Sequence, residues 1–143
     1  MNYFDTSALV KRFVEEAGSA SVDALVSAGP VGTATVAFAE VHAGLARKQR
    51  DGDLTHSEYE TACRQFEAEW AAYLRIELRE DVLKLARDVI RRHPLRGFDA
   101  IHLASALTLK RALAEDVTFV ASDERLLEAA RAERLAGANP ERA

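Results

Sequence analysis

The sequence predicts an α/β layered fold with a mainly parallel sheet. Short strand-like stretches alternate along the chain with segments of helical apolar period. No internal repeat or low-complexity linker interrupts the 143 residues, a length that suits one domain enclosing a sizeable core. The composition is globular: 48% hydrophobic and 29% charged, with only 7 Gly and 3 Pro, which excludes collagenous and low-complexity classes.

The elements follow in order. Tyr3-Phe4 is a very short strand, and Ala8 to Val14 follows as a helix with Leu9 and Phe13 four apart on one face. Gly18-Ser19 opens a second short helix, ended by Gly29-Pro30. Val31 to Val36, β-branched and Thr-rich, reads as a buried strand. Phe38, Val41 and Leu45 recur at helical spacing through Arg50, before a turn at Asp51-Gly52-Asp53. Thr55 and Glu58 are spaced as a capping box, opening a long helix to about Ala72. Tyr73 to Leu78 alternates as a strand, with Leu74, Ile76 and Leu78 on one face. Val82, Leu85, Ala86 and Val89 form the stripe of a helix that stops near His93-Pro94. A further helix from about Phe98 to Leu113 carries Ile101, Ala104, Leu107 and Leu109 on its apolar side. Val117 to Ala121 is the clearest strand, and a last helix covers Glu124 to about Arg134. The core is therefore expected over residues 2–134 of one domain spanning 1–143. The tail, 135–143, is expected to be frayed and to add no strand.

Charge and motifs exclude several functions. The 23 Asp and Glu outnumber the 19 Lys and Arg, a net charge of −4, so bulk positive charge cannot bind nucleic acid here. Cys63 is alone, which forbids an internal disulfide and leaves no Cys pair for zinc; within a helix it reads as an inert small apolar residue. His42, His56, His93 and His102 form no H-E-x-x-H, and phosphate-loop, dinucleotide and G-x-S-x-G motifs are absent. The start Met1 to Asp5 lacks a basic leader with an apolar run behind it. No stretch approaches the roughly 20 apolar residues of a membrane span. A cytoplasmic protein with no membrane partner is expected.

Four acids stand where a parallel sheet puts its chemistry, beyond the carboxyl ends of strands. Asp5 directly follows the first strand, and Asp123 follows the strand ending at Ala121. Glu40 lies about one turn into its helix and leans back toward that edge. Asp99 begins the helix that precedes the last strand. Asp5, Asp99 and Asp123 equally suit helix capping, and Glu40 equally suits a solvated face. Gathered at one edge, however, the four would repel one another unless protonated or bridged by a cation. Mg²⁺ or Mn²⁺, which prefer oxygen donors, would supply that bridge.

Four segments resemble the motifs of PIN-domain ribonucleases, and more narrowly VapC-type toxins of bacterial toxin–antitoxin pairs. They are Tyr3 to Lys11, Ala39 to Leu45, Leu95 to Ala106 and Phe119 to Leu127, in order across residues 2 to about 134. The resemblance implies a three-layer α/β/α domain and a Mg²⁺-dependent endoribonuclease, with Mn²⁺ as a possible substitute, acting on RNA through activated water. It also implies a homodimer neutralised by a cognate VapB-type antitoxin. By position, Asp5 and Asp99 become direct metal ligands, Glu40 holds metal or positions water, and Asp123 acts through water. Thr6 or Ser7 would hydrogen-bond the carboxylates or a bound water. Ala121 departs from relatives, which often carry Thr or Ser two residues before the last acid. A non-catalytic PIN-like module binding RNA or protein, and a metal-dependent DNA nuclease, remain alternatives.

Other residues carry weaker signals. His102, three after Asp99, suits helix packing better than the site. Phe66, Trp70 and Tyr73 share helical spacing and suit core or dimer packing rather than base stacking. Among the basic runs, Arg96 lies nearest an acid and is the candidate phosphate contact for single-stranded RNA.

Overall fold

In the computed structural model, which describes residues 1–142, the first half runs β1 (Asn2–Phe4), α1 (Thr6–Val10), α2 (Ser19–Ser27), β2 (Val31–Ala34), α3 (Ala37–Arg50) and α4 (His56–Trp70). The second half runs β3 (Leu74–Ile76), α5 (Glu80–Arg92), α6 (Gly97–Leu113), β4 (Thr118–Val120), α7 (Glu124–Ala132) and β5 (Ala136–Ala138). A 3-10 turn, Pro140–Arg142, closes it. The strands pair in the order β3-β2-β1-β4-β5, every pair parallel. All five carboxyl ends therefore share one edge.

Three layers follow from strand period. Successive strand residues face opposite sides, so Tyr3 and Phe4 enter different cores, as do Phe119 and Val120. Tyr3 and Phe119 stack at 5.5 Å and pack with residues of α5, α6 and α7. Phe4 and Val120 pack on the other side with Leu9, Val41, Leu45 and Phe66. Helices on both faces satisfy a parallel sheet, which has no solvated side to spare. Gly32 in β2 is required by close approach. A Cβ there would lie 2.6 Å from Leu109 Cδ2, so any larger residue would force that buried side chain of α6 to move.

Several boundaries depart from the sequence reading. The first helix ends at Val10 rather than Val14, and the strand from Val31 ends at Ala34. The stretch 73–78 is strand only over Leu74–Ile76, at the sheet edge. There Leu74 and Leu78 are 41% and 42% exposed while Tyr73 is buried, so of the expected apolar face only Ile76 packs against the core. Helix α6 is not one-sided; it is buried along Ala100 and His102 to Ala106, because the sheet and α5 both cover it. Thr55 and Glu58 do form the reciprocal capping box. Phe66 lies wholly in the core, with Trp70 edge-on to it.

The tail is the main correction. Of residues 135–143, expected to be frayed, residue 143 lies outside the described residues. The rest supplies β5, paired with β4 through registers such as Phe119 with Gly137. The closing turn then packs on α2. Lys11, 7% exposed, lies 3.6 Å from Glu141 and 3.2 Å from Glu16, whose other oxygen receives Lys48 at 2.7 Å. Gly18, at φ +90°, gives the turn room, since a Cβ would meet Pro140 at 3.0 Å. No described helix is long and apolar enough to cross a membrane.

Candidate active site

The loop Asp5-Thr6-Ser7 is the hub of the shared strand edge. Backbone pairing continues one residue past β1, with the Asp5 amide donating to Val120 O at 3.1 Å. This seats Asp5 between the ends of β1 and β4. Its side chain turns back on the helix it opens, where Oδ1 accepts the Ala8 amide at 2.9 Å and the Ser7 hydroxyl at 2.7 Å. Ser7 Oγ also accepts the Ser122 amide at 3.3 Å, tying the β4 exit to the same loop. Thr6 donates to Glu40 Oε1 at 2.7 Å, bringing in the first turn of α3. Thr6 and Ser7 thus bond acids or their immediate supports.

Asp99 and Asp123 sit on the facing rim. Asp99 lies in the first turn of α6 and Asp123 caps α7, accepting the amides of Arg125 and Leu126. Both line a cavity of about 400 Å³ with Arg96 and Arg125. Arg96 therefore shares a cavity with two of the acids, and its positive charge opposes the rise in the Asp99 pKa. Asp5 lies deeper, 5% exposed.

The electrostatics are those of crowded acids. Burial pushes the Asp5 carboxyl above its ordinary range. His102 and the Ala8 and Ser7 hydrogen bonds oppose the rise, and Asp99 adds to it. Burial likewise raises Asp99, reinforced by Asp123 and Glu40. Burial would also raise Glu40, but hydrogen bonds from His102 and Thr6 more than offset it and hold that carboxyl low. Among the described residues, none of the four acids pairs with Lys or Arg. One end of the sheet thus concentrates four acids that, among the described residues, form no Lys or Arg ion pair, with Arg96 and Arg125 only sharing the cavity.

A PIN domain family profile matches residues 3–132. Ribonuclease VapC45 of Mycobacterium tuberculosis is 44% identical over 108 residues, covering 75% of each chain. Among solved structures, FitAcB from Neisseria gonorrhoeae superposes with a TM-score of 0.69 at 16% identity, covering 98% of both chains. VapBC2 from Rickettsia felis, bound to a promoter DNA fragment, gives 0.66 at 12% identity, over 97% of this chain and 98% of that one. This chain belongs to the PIN-domain family. Relatives 44% identical to it, named as ribonucleases VapC45 and VapC49, place it in the VapC type.

The PIN domain also shows what its sequence concealed. His102, whose place in the sequence favours packing over the site, is 2% exposed and also reaches Glu40 Oε1 from Nε2 at 2.7 Å. Arg125 lines the acidic cavity, and its signal was available: a cation in a helix's first turn opposes the macrodipole. Ala121 is fully buried and brings no hydroxyl to the rim. Carboxylate oxygens with no soft ligand make a donor set that fits a hard divalent cation. Among the described residues no three His, Cys, Asp or Glu side chains already form a metal cage.

Proposed function

We propose that this PIN domain is the endoribonuclease toxin of a VapBC-type pair, using Mg²⁺, or Mn²⁺ in its place. The observation that carries the reading is the gathering of Asp5, Glu40, Asp99 and Asp123 around one sheet edge, none of them in an ion pair with Lys or Arg among the described residues. The relative named as a ribonuclease supports RNA as the substrate. Solved neighbours named as VapBC and toxin–antitoxin complexes support a separate antitoxin partner. The protein then acts in the cytoplasm as a homodimer, silenced by its VapB-type antitoxin.

A bound Mg²⁺ or Mn²⁺ would polarise the scissile phosphate and make water a better nucleophile near neutral pH. The protein's share is placement. Asp5, fixed by Ser7 and the Ala8 amide, and Asp99, half-buried on the opposite rim, would be the direct ligands. Glu40, held low by its hydrogen bonds, stays ionised and can orient water or receive its proton. Asp123, exposed at the rim, would act through water. Arg96 would meet RNA phosphate from the wall of the same cavity.

The test is incubation with structured RNAs and Mg²⁺ or Mn²⁺, beside an EDTA control, parallel single-stranded DNA and the Asp5→Asn protein. Metal-dependent RNA cleavage lost in EDTA and in Asp5→Asn is expected. Cleavage by Asp5→Asn at the wild-type rate overturns the site. RNA binding that ignores EDTA, with no cleavage, identifies a non-catalytic module instead.

A further inference from the structure

A chain of hydrogen bonds leads from the sheet core into the acid edge. Tyr3, fully buried in β1, places its hydroxyl 2.8 Å from His102 Nδ1. His102 Nε2 lies 2.7 Å from Glu40 Oε1 and 3.2 Å from Thr6 Oγ1, which itself donates to the same Glu40 oxygen. We propose that His102 is a positioning residue that, held by Tyr3, fixes the Glu40 carboxylate for metal or water.

The donor directions follow from the partners. An ionised carboxylate only accepts, so Nε2 donates, and the Thr6 hydroxyl can take the second share of that N–H. In the neutral ring Nδ1 then accepts, and the Tyr3 hydroxyl is its donor. Tyr3 thereby fixes the tautomer and, with its ring edge-on to the imidazole at 5.9 Å, the ring's orientation. Both bonds to Glu40 land on Oε1, leaving Oε2 as the oxygen available to a cation or water.

Packing alone does not account for this. An imidazole buried merely to fill volume needs a polar partner at each nitrogen only because it is polar, and a leucine would fill the space without that demand. Here the polar residue is retained, and its partners are a strand tyrosine on one side and a site acid on the other. Such outer partners commonly govern metal affinity by about ten- to a hundredfold.

The proposal rests on the reading of Glu40 as a site acid, and Mn²⁺ binding followed by electron paramagnetic resonance tests both separately. His102→Leu should weaken Mn²⁺ binding about tenfold, with RNA cleavage falling in parallel. His102→Gln, which keeps an N–H near the Nε2 position, should recover most of the loss. In a Glu40→Gln background, His102→Leu should cost nothing further, which a general structural defect would not produce. If His102→Leu does not fold, Tyr3→Phe keeps the ring, loses the hydroxyl and carries the test with a smaller loss in the same direction. Unchanged Mn²⁺ affinity in both His102→Leu and Tyr3→Phe, with Asp5→Asn impaired, overturns the positioning role alone. An equal loss with and without Glu40 also overturns it. Full Mn²⁺ binding by both Asp5→Asn and Glu40→Gln overturns the metal-site reading itself.

Discussion

Two charged clusters interleave along the sequence and have opposite characters. Around Glu16, Lys11 and Lys48 converge on one carboxylate and Glu141 adds a second, so each buried charge faces its opposite. At the strand edge, Asp5, Glu40, Asp99 and Asp123 meet with no Lys or Arg ion pair among the described residues. Compensation lowers the Glu16 carboxyl against the effect of its burial, whereas Asp5 and Asp99 are raised. Helix capping accounts for Asp5 and Asp123 as single residues but not for the crowding of all four acids. The first cluster is balanced by ion pairs, and the second is not. Loss of a member should therefore affect stability in one and chemistry in the other.

The largest expected effect is at the unbalanced edge. Asp5→Asn should lower RNA cleavage by about a hundredfold or more, exceeding the cost of losing an outer partner. Its thermal midpoint should stay level or rise, because a buried unpaired charge is removed. A fall in midpoint with cleavage intact would erase the contrast. Glu16→Gln should do the reverse. It strands Lys11 beside a weaker partner and should cost about 2 kcal/mol by denaturant unfolding, discounted for partial exposure, with cleavage unchanged.

Acid should attack the balanced side first. The Lys48 and Lys11 bonds outweigh burial to hold Glu16 below its usual 4.5, while Arg92 and then His93 hold Glu133 low. An acid with a lowered folded pKa binds fewer protons folded than unfolded. Its contribution is complete above about the ordinary value and is lost as pH falls through the folded one. Denaturation midpoints should drop below about pH 4.5, with a shallower slope in Glu16→Gln. The smallest effect is at Arg96. Arg96→Ala should weaken RNA binding a few-fold at low salt and reduce its salt dependence by about one phosphate contact.

Legibility in the sequence followed the distance over which each contact acts. Asp5 and Asp123 could be placed because each directly follows a strand in the chain, and Glu40 because helical side chains lean toward the N-terminus. The alternation of elements was likewise local, and so readable. His102 packs as the sequence suggests, but its hydrogen-bond partners, Tyr3 and Glu40, lie 99 and 62 positions away, and no local pattern announces them. β5 was missed for a different reason. Ala136-Gly137-Ala138 has no β-branched residue, and its strand character comes from the open edge of β4, where Ala121 donates to Ala138 O at 3.1 Å. Capping and chemistry were offered as rival readings of Asp5 and Asp123. Both side chains do cap helices, and one oxygen of a carboxylate can cap while the other remains free.

The placement of the first strand at the centre of the sheet has a consequence for how the protein is made. Strand β1 emerges first, yet one of its two neighbours, β4, is not synthesised until residues 118–120. The loop that carries Asp5 is bonded to Val120 and Ser122, more than a hundred residues later. Contacts of such long separation form late and together. A growing chain therefore cannot assemble this edge until nearly all of it has been made, and a fragment ending before residue 118 lacks the contacts that seat Asp5.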